Sequence, residues 1–381
     1  MKSYKPLFSR FLKADPERIH LAAHSHHYWP DVTLDAQIEA WEDAGRYVDH
    51  KWEHIFSHVL SEVREGIARE LDVPDASNIA FASNTHELVT RIFSALFSET
   101  AKPKLVTTDG EFHSFARQLE RWEEERLVEV VRVPTEPLDT FSERFSAVVQ
   151  RESPDVVYVS HVFFDSGFVV PELDRIVATA RPNAYFILDG YHSFFAVPFS
   201  LRSLASRVFY VSGGYKYAMS GEGACFVVAP PGFAPRPVNT GWFATFGDLA
   251  KSQKGVAYPT TAERFFGATM DPTAWYRMRS VFRLMTREGI DTARVLQRSH
   301  TLQEEIVARC EAIGLNARDL LVQKADQRGR FLTFRTREAS SLHARLLKKN
   351  IVCDFRGDRL RFGIGLYTDP SDVAALFERN A

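Results

Sequence analysis

The stretch VFYVSGGYKY, residues 208–217, decides the fold: an apolar run ends on a pair of glycines and Lys216. An earlier apolar run, YFIL at residues 185–188, ends on Asp189. Short runs rich in aromatic and β-branched residues are typical of buried strands, and the interval between these two leaves room for a helix. Ligands of parallel sheets bind at the carboxyl ends of the strands, so we expect Lys216 and Asp189 to face one site.

A lysine and a carboxylate at such strand ends are the two groups that a pyridoxal phosphate enzyme requires. The lysine amine binds the cofactor aldehyde covalently, and the carboxylate keeps the pyridine nitrogen protonated so that the ring accepts electrons. Either residue alone has an ordinary interpretation, because aspartates after strands form turns and lysines are usually solvated. Glycines on both sides of Lys216, the second set within SGEG at residues 220–223, favour close approach of the backbone to a bound group. The pattern predicts pyridoxal phosphate as cofactor, with Lys216 and Asp189 as catalytic residues.

Strand-like runs alternate with helical patterns over the first two thirds of the chain. They fall at residues 78–81, 104–107, 156–159, 185–188, 208–211 and 225–228. This alternation predicts an α/β fold, a mostly parallel sheet with helices on both faces. A helical pattern over residues 275–313, interrupted near Gly289, then leads into a smaller α+β module. We expect residues 1–270 to form an N-terminal arm and a large cofactor-binding domain, residues 271–381 to form a small C-terminal domain, and the active site to lie between them.

Composition excludes several classes of function. The 381 residues carry a net charge of −2 and are 45% hydrophobic and 25% charged, as in soluble globular proteins. The charges are interleaved, which argues against a surface for nucleic acid or an anionic membrane. No apolar run approaches the roughly 18 residues of a membrane span and the start is unlike a signal peptide, so a cytoplasmic protein is expected. Cys225, Cys310 and Cys353 are too widely spaced for a zinc site or a disulfide framework, and we expect them to be buried.

The motifs around the two catalytic candidates resemble a known family. DGYHS at residues 189–193, GYKY at 214–217 and SGEG at 220–223 resemble the class V aminotransferase family of fold-type I pyridoxal phosphate enzymes, and within it kynureninase most. Cysteine desulfurases of this family usually carry Gln where His192 stands and His where Tyr215 stands, whereas kynureninases carry His and Tyr. The resemblance covers about residues 18–378. It implies the fold-type I architecture, with His192 and Tyr215 in contact with the cofactor.

A strand-to-helix junction, ASNTHEL at residues 82–88, resembles the phosphate loop of the family. The resemblance implies that three residues surround the cofactor phosphate: Asn84, Thr85 and His86. Helix N-termini favour anions through their free N–H groups and their dipole. The alternative is an ordinary N-cap at this junction, with Glu87 in the first turn. The family's usual serine three residues before the lysine is replaced by Gly213, and Ser212 is the candidate substitute.

An aromatic residue is expected to cover the cofactor ring. In DGEFHS, residues 109–114, Phe112 stands where desulfurases have His and kynureninases have Phe; the alternative is a core Phe, one of 30 in the chain. Two further segments, NTGWF at 239–243 and FGAT at 266–269, resemble segments that reach the site of the neighbouring subunit. The resemblance therefore implies a homodimer in which Trp242 and Thr269 contact the cofactor.

Substrate recognition should depend on an arginine, because a guanidinium pairs bidentately with a carboxylate. Residues 352–368 resemble the C-terminal kynureninase pattern, in which Arg361 binds the substrate carboxylate. The alternative, an arginine alternating outward on an edge strand, fits Arg359 better than Arg361. SHVFFDSG at residues 160–167 resembles another kynureninase segment, but Phe163 and Phe164 replace its more polar pair. Phe164 is expected to contact the substrate.

The run HSHHYWP, residues 24–30, has no good counterpart in kynureninases. Three histidines in four residues raise the possibility of a metal site. An irregular loop, however, provides no i, i+4 geometry for the histidines. We therefore predict no metal and expect His24 and Ser25 to contact the substrate, because the aligned family segment lines the pocket.

The resemblance implies hydrolytic Cβ–Cγ cleavage of an aryl-keto amino acid such as L-kynurenine, giving alanine and an anthranilate, as in tryptophan catabolism. Lys216 would move the Cα proton, and Tyr215 would assist protonation of the β-carbon. The alternatives are a class V aminotransferase or a pyridoxal phosphate-dependent lyase acting on another amino acid, because one scaffold hosts several chemistries.

Two other functions are less favoured by the sequence. A cysteine desulfurase needs a mobile nucleophilic cysteine, whereas Cys353 lies inside a strand pattern. A cofactor-binding regulator without catalysis would not need Lys216, Asp189 and Arg361 together.

Overall fold

The computed structural model describes residues 1–248 and 255–380. In these residues the β-strands are β1 Ile19–His20, β2 Ile79–Ala82, β3 Lys104–Thr108, β4 Glu129–Val133, β5 Val156–Ser160, β6 Tyr185–Asp189, β7 Val208–Gly213, β8 Cys225–Val228, β9 Phe331–Arg335, β10 Ile351–Val352, β11 Asp354–Arg356 and β12 Arg359–Gly363. The α-helices there are α1 Ser9–Ala14, α2 Val32–Tyr47, α3 Lys51–His54, α4 Leu60–Leu71, α5 Thr85–Phe97, α6 His113–Glu124, α7 Phe141–Glu152, α8 Leu173–Thr179, α9 Thr273–Glu288, α10 Thr292–Arg309, α11 Ala339–Lys348 and α12 Pro370–Glu378.

The large central sheet has the strand order β2-β8-β7-β6-β5-β3-β4. Strands β4, β3, β5, β6 and β7 run parallel. Strand β8 is antiparallel to both of its neighbours. Every residue of β5, β7 and β8 is buried, as expected for strands covered on both faces. The predicted α/β fold with a mostly parallel sheet is confirmed.

This topology brings the candidate residues together. Strands β5, β6 and β7 are neighbours, and Asp189 pairs with Ser160 on one side and with Val211 on the other. Their carboxyl ends therefore meet at one edge of the sheet, where β7 continues into the segment that carries Lys216. The expectation that Lys216 and Asp189 face one site follows from three adjacent parallel strands.

A second, antiparallel sheet has the order β11-β12-β9. Its core contains residues from Leu302 to Phe377, together with Ile19 and Leu21 from the N-terminal arm. The arm is held there because β1 pairs with β10, Ile19 opposite Ile351. The apolar residues of α9 pack instead into the core of the large sheet.

Several details differ from the sequence expectations. The interpretation of Arg359 as an outward arginine on an edge strand is wrong, because β12 lies between β11 and β9. The sequence analysis did not find β4 or the very short strand β1, and the strand pattern around Cys353 is divided into two short strands, β10 and β11. The break near Gly289 is confirmed: Gly289 has φ of 60° and ends α9 in the left-handed conformation.

Within the described ranges, no helix is both long enough and apolar enough to cross a membrane.

Candidate active site

Asp189 ends β6 and is enclosed by protein groups that hold its carboxylate in place. The hydroxyl of Tyr158 donates to Oδ2 at 2.8 Å, and the N–H of Tyr191 donates to Oδ1 at 2.9 Å. Burial is the largest effect on this group and raises its pKa, although these two donors and the nearby Lys216 oppose the rise. A carboxylate desolvated in this way is stabilised by a cation placed against it.

Lys216 is 9% exposed. Its Nζ donates to the backbone oxygen of His24 at 2.9 Å and lies 5.9 Å from the ring centroid of Phe112. Burial, followed by the positive charge of Arg361, lowers the pKa of Lys216 to about 7. A neutral amine is the nucleophile that attacks an aldehyde, so this lysine is reactive near neutral pH.

A cavity of about 220 Å³ connects these groups. Its lining includes the side chains expected from the phosphate, ring and lysine motifs; it consists of Asn84, Thr85, His86, Phe112, Ser114, Ser160, Phe164, Asp189, Tyr191, His192, Tyr215 and Lys216. The predicted site residues at these positions therefore lie together. Larger cavities elsewhere contain neither Lys216 nor Asp189, and the chemistry of the lining identifies the smaller cavity as the candidate site.

The phosphate end of the cavity lies at the N-terminus of α5. Asn84 is the N-cap, and its Oδ1 accepts from the N–H of Glu87 at 2.9 Å, so the alternative of an ordinary N-cap is confirmed. The carboxylate of Glu87 is turned toward Arg91 at 2.7 Å, which offsets its negative charge. The remaining first-turn N–H groups have no partner within the helix and can receive a phosphate.

Phe112 and Phe164 form one wall of the cavity. Their rings meet edge to face, with centroids 5.5 Å apart and planes at 89°. Phe112 is 40% exposed, so the alternative of a core phenylalanine is wrong. An exposed ring near Lys216 is available for stacking on a planar ligand.

Three predicted cofactor contacts lie outside the cavity lining. Ser212 is fully buried, and its hydroxyl donates to the backbone oxygen of Gly190 at 3.1 Å. Trp242 donates from Nε1 to the hydroxyl of Thr269 at 3.0 Å, and Trp242 is 38% exposed. Trp242 and Thr269 thus lie together on an accessible surface, and neither of them lines the cavity of its own chain.

Arg361 lies next to Phe164, one of the residues that line the cavity. The guanidinium is buried, donates to the backbone oxygen of Phe164 and forms an ion pair with Asp354. Its Nε has no hydrogen-bond partner among the described residues. Arg359 forms ion pairs with two residues outside its own sheet, with Asp165 and with Glu136 at 2.9 Å.

The three histidines of the HSHH run have different surroundings. His24 is buried, stacks on Phe331 with ring centroids 4.6 Å apart, and has its Nε2 3.6 Å from the carboxylate of Asp354. Burial lowers the pKa of His24 to about 3. His27 is also buried, with Nδ1 2.6 Å from its neighbour's backbone oxygen and Nε2 accepting from the N–H of Leu366 at 3.1 Å.

His26, by contrast, is exposed and contacts Tyr215. Ser25 is partly exposed and does not line the cavity. No cluster suited to a metal ion occurs in residues 1–248 and 255–380.

Glu111 is a buried acid that sequence reasoning missed. One carboxylate oxygen accepts from the hydroxyl of Thr108 at 2.7 Å, and the other accepts from the hydroxyl of Ser160 at 2.6 Å. Burial raises the pKa of Glu111 to about 7. Its place directly before Phe112 in a strand-end loop was the available signal. Glu111 ties this loop to the end of β5.

These groups fit pyridoxal phosphate. The enclosed carboxylate of Asp189 suits a protonated ring nitrogen, the amine of Lys216 suits the aldehyde, and the start of α5 suits the phosphate. The glycines near Lys216 are also required for close packing within the chain itself. A Cβ on Gly214 would lie 2.0 Å from Oγ of Ser220, so the close approach required there is to the chain itself.

Comparison with known proteins agrees with this geometry. A family model described as aminotransferase class-V matches residues 30–376. The chain belongs to the class V aminotransferase family. No curated protein matches the chain.

Several solved structures share the class V fold with this chain. The cysteine desulfurase from Thermococcus onnurineus NA1 has a TM-score of 0.82 at 17% identity, covering 99% of this chain and 97% of that one. The cystine C–S lyase C-DES, in complex with cysteine persulfide, has a TM-score of 0.78 at 16% identity, covering 95% of this chain and 97% of that one. A C-DES mutant with glycine covalently linked to its PLP cofactor has a TM-score of 0.80 at 16% identity, covering 100% of this chain and 99% of that one. At these identities the likeness shows the fold.

The comparisons confirm the fold-type I architecture and the cofactor. Pyridoxal phosphate is the cofactor of this class V enzyme. They do not confirm the finer kynureninase assignment, because the similar structures described above are a desulfurase and a C–S lyase.

Lys216 gives the first testable prediction. Because its amine becomes neutral as pH rises through about 7, covalent loading of the cofactor-free protein should be fast above pH 7 and fall about tenfold per pH unit below it. Stopped-flow absorbance measures this rate, and borohydride reduction followed by mass spectrometry should place the cofactor on Lys216. Loading that remains slow until pH 10, or an adduct on Lys104, would contradict the assignment.

Proposed function

We propose that this chain is a pyridoxal phosphate-dependent lyase that cleaves the side chain of an α-amino acid at its β-carbon. The observation that carries the proposal is the position of Tyr215, whose side chain lines the cavity with its ring centroid 5.8 Å from Nζ of Lys216. Side-chain cleavage requires a proton at a second place besides Cα, and a phenol beside the lysine can supply it. Transamination can proceed with the lysine alone.

When bound, the cofactor acts as the electron sink for the substrate. Lys216 takes the Cα proton, and Asp189 stabilises positive charge on the ring nitrogen. Tyr215 protonates the leaving atom, while Phe112 and Phe164 exclude water from the substrate side chain. For a β-substituted substrate the expected products are the protonated substituent, pyruvate and ammonia, with one water consumed. The names of the similar desulfurase and C–S lyase agree with chemistry at this carbon.

Hydrolytic Cβ–Cγ cleavage of a kynurenine-type substrate is the second candidate. The aromatic walls of the cavity favour it, since Phe112, Phe164, Tyr191 and Tyr215 all line the site and an aryl group would pack against them. His192 and Tyr215 also stand where kynureninases carry the same residue types. In this reaction Tyr215 would protonate the β-carbon, and the products would be alanine and an anthranilate.

A desulfurase that passes sulfur to its own cysteine is not supported by the thiols of this chain. Cys225, Cys310 and Cys353 are all buried. Burial raises the pKa of Cys225 and of Cys353 to about 12, so the nucleophilic thiolate is disfavoured at neutral pH.

A product assay separates the candidate reactions. The loaded enzyme is incubated with L-kynurenine, 3-hydroxykynurenine, L-cystine and other β-substituted amino acids, and anthranilate, alanine, pyruvate and ammonia are measured. Pyruvate and ammonia are expected from a β-substituted substrate, whereas alanine with anthranilate would establish the kynurenine-type reaction. Amino transfer to added 2-oxo acids without side-chain cleavage would contradict both.

We also propose that the active unit is a homodimer. Trp242 and Thr269 bond to each other on an accessible surface and do not reach the cavity of their own chain. A neighbouring subunit is therefore the remaining way for them to contact a cofactor. Light scattering should give about twice the mass of the chain, and a monomer with full activity would overturn this proposal.

A further inference from the structure

The hydroxyl of Tyr215 is hydrogen-bonded to Nδ1 of His26. The two rings meet edge to face, with centroids 4.8 Å apart and planes at 84°. Tyr215 lines the cavity near Lys216, whereas His26 is exposed. The pair thus connects the reaction cavity with solvent.

We propose that His26 supplies the proton that Tyr215 delivers to the substrate side chain; this proposal rests on the lyase function proposed above. As the bond to the leaving atom breaks, the O–H bond of Tyr215 breaks and a bond forms between its proton and that atom. His26 then gives its Nδ1 proton to the phenolate oxygen and takes up a replacement proton from water. One proton passes from solvent to the leaving atom in each turnover, and no group is oxidised or reduced.

Lys216 and the other two histidines of the HSHH run are not placed to relay a proton from solvent to Tyr215. Nζ of Lys216 donates to the backbone oxygen of His24 and is needed at Cα. Both ring nitrogens of His27 contact backbone groups, and the ring of His24 is buried against Phe331 beside Asp354. Of the HSHH histidines, His26 reaches both the phenol and solvent.

The surroundings of Tyr215 suit a proton donor. Burial, followed by the negative charge of Glu222, raises the pKa of its phenol. Tyr215 therefore keeps its proton at neutral pH until a stronger base, the leaving atom, develops beside it. A partner that replaces this proton restores the donor for the next turnover.

The test uses the loaded enzyme and separates two proton transfers. Exchange of the Cα proton of L-alanine in D₂O, followed by proton NMR, reports the step at Lys216. Product release from a cleavable substrate reports the side-chain step. His26→Gln keeps an amide that can hydrogen-bond to the phenol but cannot relay a proton, so it should lower product release about tenfold or more and leave Cα exchange within about twofold. His343→Gln, in the small domain, is the matched control and should change neither rate.

A double-mutant cycle with Tyr215→Phe adds a second criterion. If the two residues form one relay, the double variant should be no slower than Tyr215→Phe alone. A readout without turnover is the ¹⁵N chemical shifts of the His26 ring, which report its tautomer and should change in Tyr215→Phe.

The outcomes distinguish this proposal from the proposed function. Normal product release by His26→Gln, equal losses in both rates, or additive effects would overturn the relay while leaving the lyase intact. A wild-type enzyme that exchanges the Cα proton but cleaves no side chain would overturn the lyase function itself.

Discussion

Replacing Asp189 by asparagine should leave the protein folded and lower kcat by roughly 10²-fold or more, the scale seen when a group that stabilises developing charge is removed. Asparagine has no charge to keep the ring nitrogen protonated, so the electron sink is weakened. In the unchanged chain the hydroxyl of Tyr158 and the N–H of Tyr191 donate to Asp189 at 2.8 and 2.9 Å, and asparagine retains an acceptor oxygen for one of these two donors. We therefore expect kcat to fall while the folded structure is retained.

Two further measurements make this prediction sharper. Tyr158→Phe removes one donor but keeps the carboxylate, so its kcat should lie between wild type and Asp189→Asn. Because burial raises the pKa of Asp189, its ionised form costs the cofactor-free protein stability above that pKa, and the melting temperature of Asp189→Asn at pH 8 should be unchanged or higher. Wild-type kcat in Asp189→Asn would remove this residue from the mechanism.

The parts of the structure that the sequence predicted well are those determined by local patterns. Strands β5 to β8 are continuous apolar runs with clear ends, so their existence and the positions of Asp189 and Lys216 at those ends could be predicted. The cap at Asn84 is equally local, because it depends on residues three apart.

The features that the sequence could not predict depend on contacts between distant segments. Strand β1 has two residues and exists because Ile19 and His20 pair with β10, more than 300 positions later. Glu111 is a functional candidate only because β3 and β5 are neighbours, which brings Ser160 to its carboxylate. The contact of His26 with Tyr215 likewise joins the N-terminal arm to the end of β7.

Substrate chemistry was the least predictable level. The cofactor motifs determine how the ring, phosphate and lysine are held, and these features are shared by the whole class V family. Phe164 and the HSHH run are the segments expected to contact the substrate, and at both of them this chain departs from the kynureninase pattern. Family resemblance therefore predicted the fold and cofactor more securely than the reaction.

Arg361→Ala should raise KM for an α-amino acid by about 30-fold, equivalent to about 2 kcal/mol for a lost charge-assisted hydrogen bond. The guanidinium is buried beside the cavity and its Nε has no hydrogen-bond partner in the part of the chain that the structure describes, so we expect a substrate carboxylate to be the missing acceptor. Its loss also leaves Asp354 without its buried cation, and it removes the second-largest effect that lowers the pKa of Lys216. Cofactor loading by Arg361→Ala should therefore require a higher pH than wild type.

Arg359→Ala is the matched control, two residues away on the same face of β12. Arg359 is already paired with Glu136 and Asp165, and it is less deeply buried than Arg361. Partly exposed ion pairs of this kind contribute about 0–1 kcal/mol, so its removal should change KM by less than about fivefold. Steady-state kinetics on both variants gives the contrast. Equal rises in KM would mean that the carboxylate is held elsewhere, and exposed Arg356, whose charge also lowers the pKa of Lys216, would be the next candidate.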